Sequence, residues 1–218
     1  VTKHRDFAIK GGTALNLFHL NLPRLSVDID LCFLPVKNRK ESFSDIHRML
    51  NEIKLDLSKT LGCEVIPTKP LTGEHEARLI ISRSNVTIKL EPNYILRGSL
   101  FPPQNMRTQS RVEEKFKKSS SALILHSNDL YGGKFCAALD RQHPRDLFDI
   151  HMFFQTNTIE TDLKDSFLFY LLSHNRPIHE LLNPNKLPIE SIFSKEFAGM
   201  SQAVVTLSQS SYVFLLER

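Results

Sequence analysis

The stretch that decides the fold is Arg24-Leu25-Ser26-Val27-Asp28-Ile29-Asp30-Leu31. From residue 27 to 34 apolar and polar positions alternate, the period-two pattern of a half-buried strand. Val27, Ile29 and Leu31 then face a core, and Asp28, Asp30 and Cys32 face away from it. Residues two apart on a strand lie about 6–7 Å apart on one face, so the two carboxylates stand side by side. Like charges this close repel unless a cation sits between them. A hard divalent ion, held by carboxylates and substrate phosphates, is the natural partner. Taken alone, the pair also fits a strand face that simply meets water.

Upstream, Phe7-Ala8-Ile9-Lys10 reads as a short buried strand running into Gly11-Gly12, and Thr13 is expected to cap a short helix through Leu20. Glycines let a backbone approach an anion closely, a helix start offers free N–H groups, and Thr13 adds a hydroxyl. A plain tight turn would use the same glycines. Neither Gly11-Gly12 nor Gly132-Gly133-Lys134 fits the GxxxxGK[ST] pattern of a Walker loop.

Downstream, residues 40–61 have helical spacing with Gly62 as the stop signal. Residues 63–67, 77–82 and 86–91 read as strands, the last two joined in a hairpin by Arg83-Ser84-Asn85. In the third strand Val86, Ile88 and Leu90 face the core, leaving Thr87, Lys89 and Glu91 opposite. Pro92 is expected to end it, so Glu91 stands at a strand end, available as a third carboxylate if this strand neighbours the first. Residues 122–125 form a further apolar piece, and helical patterns follow at 129–140, 145–154 and 163–173. In the first of these, Gly132 and Gly133 suggest close approach by a neighbour, and Lys134 is expected to project and neutralise a triphosphate. In the second, Asp146 and Asp149 are one turn apart, so one can orient Lys134 or a sugar; Arg145 and Asp149 are equally spaced for an i,i+4 ion pair. The expected architecture is α+β: a mixed sheet with helices over residues 1–125, then helices over 126–218.

Composition excludes several classes. Three widely spaced cysteines (Cys32, Cys63, Cys136) with no CxxC pair argue against a disulfide framework and a structural zinc site. The longest apolar run, residues 167–172, is far below the roughly 20 residues of a membrane span. No signal peptide is expected before the first motif, and the chain is expected to be soluble and cytoplasmic. The net charge of +4 is unevenly placed. Residues 97–118 hold six Lys/Arg (Arg97, Arg107, Arg111, Lys115, Lys117, Lys118) against two Glu, an excess equal to that of the whole chain. Such a segment suits a polyanion, and also a solvated face.

Lys10-Gly11-Gly12-Thr13-Ala14-Leu15, the stretch from Arg24 to Leu31, Ile88-Lys89-Leu90-Glu91-Pro92, Gly133-Lys134, Ala138-Leu139-Asp140-Arg141 and Arg145-Asp146-Leu147-Phe148-Asp149, in this order, resemble the AbiEii/AbiGii-type nucleotidyltransferase toxins, which include the mycobacterial MenT-like enzymes. A weaker match is Phe197-Ala198-Gly199-Met200. The resemblance implies a polymerase-β-like nucleotidyltransferase core followed by a helical part. It implies that Gly11, Gly12 and Thr13 hold the triphosphate, with Ser26 and Asp149 counted among the nucleotide-binding residues. Asp28, Asp30 and Glu91 would hold the metal, and Lys134 and Asp146 would take the later nucleotide-contacting and catalytic positions.

The expected activity is metal-dependent transfer of a nucleoside monophosphate from an NTP to an acceptor hydroxyl, with Mg²⁺ or Mn²⁺ as cofactor. The 3′ end of tRNA is the expected acceptor, and the chain the toxin of a toxin–antitoxin pair with a cognate antitoxin. Glu91 or Asp28 is the candidate to accept the acceptor's proton. The alternatives are transfer to a protein or small molecule, or binding of nucleotide or partner without turnover.

Overall fold

Phe7, Ala8 and Ile9 are buried in the interior of a seven-stranded sheet, on β1 (Phe7–Lys10). The structure is a computed structural model that describes residues 4–201; residues 202–218 of the expected helical part lie outside the described residues. The strands are β1, β2 (Asp28–Phe33), β3 (Glu64–Pro67), β4 (Leu79–Arg83), β5 (Val86–Arg97), β6 (Gln104–Arg107) and β7 (Ser121–Ile124), in the order β3-β4-β5-β2-β1-β7-β6. β2 runs antiparallel to β1 and parallel to β5, and β7 runs parallel to β1. The helices are α1 (Gly11–Ala14), continued by a π-helical turn (Leu15–His19), then α2 (Arg39–Leu61), α3 (Ser110–Phe116), α4 (Ser127–Arg141), α5 (Pro144–Thr156), α6 (Thr161–Leu172), α7 (Ile178–Leu182) and α8 (Glu190–Glu196). The α+β architecture is the one the sequence pattern implied.

α2 shows how directly pattern becomes packing. Phe43, Ile46, Met49, Leu50 and Ile53 recur at helical spacing and are buried against the sheet. The Asn38 side chain accepts from the Glu41 N–H at 2.9 Å to start the helix, and Gly62, at φ 60°, ends it in the left-handed conformation. Leu130, Tyr131, Phe153 and Leu163, from α4, α5 and α6, join the same core as the sheet. α4 and α6 cross tightly, because a Cβ on Gly132 would lie 2.8 Å from Ser166. That neighbour is what the glycine pair signalled.

Several expectations need correction. Pro92 does not end β5, which continues to Arg97 with Pro92 opposite Leu31 of β2. The β4 pairing stops at Leu90, so Pro92 falls where β5 has a strand on one side only and a missing N–H costs least. Val86 and Ile88 are exposed rather than core, because the hairpin runs past the end of the sheet's packed region; burial on that face begins at Leu90. Val27 precedes β2 and is exposed, while Cys32, on the aspartate side, is buried with its Sγ 3.2 Å from the Gly98 carbonyl. Thr13 caps nothing: Lys10 occupies the cap position without a side-chain bond. The basic stretch contains a strand, β6, that its weak alternation did not reveal.

Candidate active site

The β2–β5 register sets the site. Asp30 is the Cα partner of Glu91, and Asp28 lies two residues back along the same face. On its other side β2 pairs with β1, placing Lys10 opposite Asp30. β1 then turns into α1 at Gly11, whose φ of +68° and whose position leave no room for a side chain: a Cβ would fall 2.1 Å from the Asp30 Oδ2. A Cβ on Gly12 would fall 2.8 Å from the Arg24 Nη2. The two glycines therefore accommodate the site's own charged groups.

A cavity of about 630 Å³ opens over these residues. Gly11, Gly12, Ser26, Asp28, Asp30 and Glu91 line one side, and Lys134, Asp146 and Arg141 line another. Thr13 and Asp149 stand behind its wall. The Thr13 hydroxyl donates to the Asp28 carbonyl and lies 3.0 Å from the Ser26 hydroxyl, tying α1 to the start of β2. Asp149 is fully buried and accepts two bonds from Arg24.

Lys134 does not project. It is buried, with its Nζ 2.8 Å from the Asp146 Oδ1 and 3.1 Å from the Asp149 Oδ2. Arg141 holds the other Asp146 oxygen through Nε at 2.6 Å. The expected i,i+4 pair does not form: Arg145 reaches Glu196 on α8 at 3.5 Å, because Asp149 turns inward while Arg145 stays at the surface. Burial alone would push the Asp146 carboxyl up, but Lys134 and Arg141 outweigh it and hold the group well below the usual carboxylate range. Burial likewise opposes the charge on Lys134, and Asp149 and Asp146 overcome it, raising the ammonium's pKa.

Asp30 is the opposite case. Burial pushes its carboxyl up, Lys10 and Lys134 pull it back, and Glu91 and Asp28 add repulsion. Glu91 is drawn aside by Arg78, whose Nη1 donates to it at 2.7 Å. Consistent with that, no group of three His, Cys, Asp or Glu side chains among the described residues is gathered closely enough to hold a metal. The donor set still fits a hard divalent cation. It consists of three carboxylates in register on adjacent strands, one of them destabilised as an anion by burial and by the other two.

The profile of the nucleotidyl transferase AbiEii toxin family, type IV TA system, matches residues 1–215. The chain belongs to this family. Among solved structures, this AbiEii-family chain is similar to the MenT4 nucleotidyltransferase toxin of Mycobacterium tuberculosis H37Rv, with a TM-score of 0.69 and 15% identity over 97% of this chain and 73% of that one. No curated protein sequence matches it. As a member of this family it is a nucleotidyltransferase toxin of a type IV toxin–antitoxin system, which implies an NTP substrate and an antitoxin counterpart. Enzymes of this kind generally use a divalent metal.

Arg24 and Arg141 carry no role that local sequence pattern alone assigns. A usable signal was present: Asp146, Asp149, Ile150 and Phe153 fall on one helical stripe, so both aspartates had to be buried and to find cations. The weak match at Phe197–Met200 has a structural part to play. Phe197 packs on Phe148, and the Met200 carbonyl accepts from the Leu25 N–H at 2.8 Å, bracing the loop that carries Arg24.

Proposed function

We propose that this toxin transfers a nucleoside monophosphate from an NTP to an acceptor hydroxyl, with the 3′ end of tRNA as the acceptor, in a metal-dependent reaction. Residues 1–125 form the catalytic core in this reading, and the helices from 126 onward supply Lys134 and Asp146. The observation that carries it is the alignment of Asp28, Asp30 and Glu91 over a cavity whose other side bears Lys134 and Arg141.

Asp28, Asp30 and Glu91 would hold Mg²⁺ or Mn²⁺, with Glu91 released from Arg78. When bound, the ion supplies charge neutralisation at the phosphate under attack. Gly11, Gly12 and Ser26 take the triphosphate in this reading, the glycines leaving the room that Asp30 and Arg24 occupy beside it. Thr13 fixes Ser26 and Asp28 relative to one another. Lys134 contributes positive charge at the cavity wall, and Asp146 and Asp149 fix its position. Catalysis in this arrangement is orientation and electrostatic preorganisation, in which groups already locked in place cost no reorganisation during reaction.

The basic segment 97–118 favours an RNA acceptor, although Arg107 is committed to Glu113 by two bonds of 2.7 and 2.9 Å. Phosphate binding there falls to Arg97, Arg111, Lys115, Lys117 and Lys118. Incubation with each labelled NTP and total tRNA, first with Mg²⁺ and then with EDTA, tests the proposal. Label must enter tRNA only in the presence of metal. Label in protein, or in a small molecule, would move the acceptor class; no transfer from any NTP would refute turnover.

A further inference from the structure

Among the described residues five cations line the cavity: Lys10, Arg24, Lys134, Arg141 and Arg145. Arg24 and Lys134 are buried and spent on carboxylates. Arg145 leans toward Glu196 and His143. Arg141 differs in being tethered and open at once. Its Nε donates to the Asp146 Oδ2 at 2.6 Å, while 61% of its side chain is exposed.

Charge counting shows what this leaves over. Three cations, Arg24, Lys134 and Arg141, meet two buried carboxylates, Asp146 and Asp149. Within this ion-paired cluster the cations outnumber the carboxylates by one, and Arg141 is its exposed member, with Asp30 and Asp140 acting on it from farther off. A guanidinium carries five N–H donors in a planar fork. The Asp146 bond uses one, and the remaining four sit on the two terminal amines of a side chain already fixed at its Nε. A pre-anchored fork loses little conformational freedom on gripping a tetrahedral anion, which makes it well suited to phosphate.

Resting on the nucleotidyltransferase reading, we propose that Arg141 is a phosphate-binding residue, whose terminal amines hold a phosphate of the nucleotide or of the acceptor strand while its Nε stays on Asp146. Lys134 then serves from behind, as the buried counter-ion that keeps Asp146 in place.

Arg141→Gln isolates the claim. The Gln amide nitrogen falls where the Arg Nε was and can still donate to Asp146, whereas both terminal amines are gone. The variant should melt near the wild type. Its affinity for inorganic tripolyphosphate and for non-hydrolysable analogues of the four NTPs, measured by calorimetry with Mg²⁺, should fall about 10- to 100-fold. A loss confined to bulk tRNA in filter binding, with the salt slope reduced by roughly 0.7–0.9, would assign the phosphate to the acceptor instead. Unchanged affinity for all probes overturns the proposal while leaving the nucleotidyltransferase reading intact. A wild type that binds neither tripolyphosphate, nor any NTP analogue, nor tRNA overturns both. Should the Gln variant fail to fold, Arg141→Lys keeps the charge without the fork. A several-fold loss of tripolyphosphate affinity is then expected, and affinity equal to wild type would overturn the role.

Discussion

The guanidinium of Arg24 clasps both oxygens of the Asp149 carboxylate, Nε to Oδ1 at 2.7 Å and Nη2 to Oδ2 at 2.6 Å, in a fully buried pair joining the β1–β2 connection to α5. Breaking such a pair strands a charge in the interior. Arg24→Ala should therefore cost about 3–5 kcal/mol in urea unfolding. Arg24→Lys should also lose stability, since an ammonium cannot reproduce the two-pronged contact. A loss below about 1 kcal/mol for the Ala variant would show that Asp149 finds another partner.

Lys134→Ala is expected to behave like a core mutation. Removing the ammonium leaves Asp146 and Asp149 each short of one partner, so stability should drop by several kcal/mol and NTP affinity should fall with it. Reduced affinity at unchanged melting temperature would instead restore the free, projecting lysine that sequence spacing implied.

Asp30→Asn should abolish transfer and raise the melting temperature of the metal-free protein. The sign follows from its raised carboxyl pKa. A folded-state value above the unfolded one means that ionisation penalises the fold, and the penalty is full above the folded pKa and vanishes below the unfolded one. The stabilising effect of Asn should accordingly grow as pH rises through the carboxylate range and then level off. Melting curves from about pH 3 to 8 check this, and a mutant less stable than wild type at the alkaline end would contradict it.

Gly11→Ala should damage fold and site together. The left-handed backbone there costs an L-residue about 1–2 kcal/mol, and the added methyl would collide with the Asp30 carboxylate. Transfer should be lost even where denaturation shows the variant still folded. Wild-type activity in this variant would mean that Asp30 can swing away without consequence.

Replacing Arg111, Lys115 and Lys118 with Gln should weaken tRNA binding and reduce the slope of log K against log salt by roughly 0.7–0.9 for each phosphate that is no longer neutralised. Arg107 is left unaltered because Glu113 already holds it. NTP binding should barely change. A salt slope equal to wild type would make the segment a solvated face and favour a protein or small-molecule acceptor.

The elements with strong periodicity were readable from residues alone. α2 starts one residue before its expected position and ends on the expected glycine, and the β1–glycine–helix turn and the Asp28/Asp30 strand lie where their patterns place them. What escaped was decided by long-range partners. Pro92 remains in its strand because of where β4 stops, and Lys134 is buried because two aspartates on the next helix face it. Thr13 looked like a cap, but Ser26 and Asp28, 13 and 15 residues further on, take its hydroxyl instead. Local propensity contains no information about such distant competitors.

The pairing of Arg24 with a residue 125 positions later also sets a clock on the ribosome. At about 5–20 residues per second, Asp28 and Asp30 spend roughly 6–25 s in the nascent chain before α5 has been made. Until then the wall that completes the cavity does not exist. The paired carboxylates therefore precede their enclosing wall in synthesis, and the cavity closes only once α5 can reach back to Arg24.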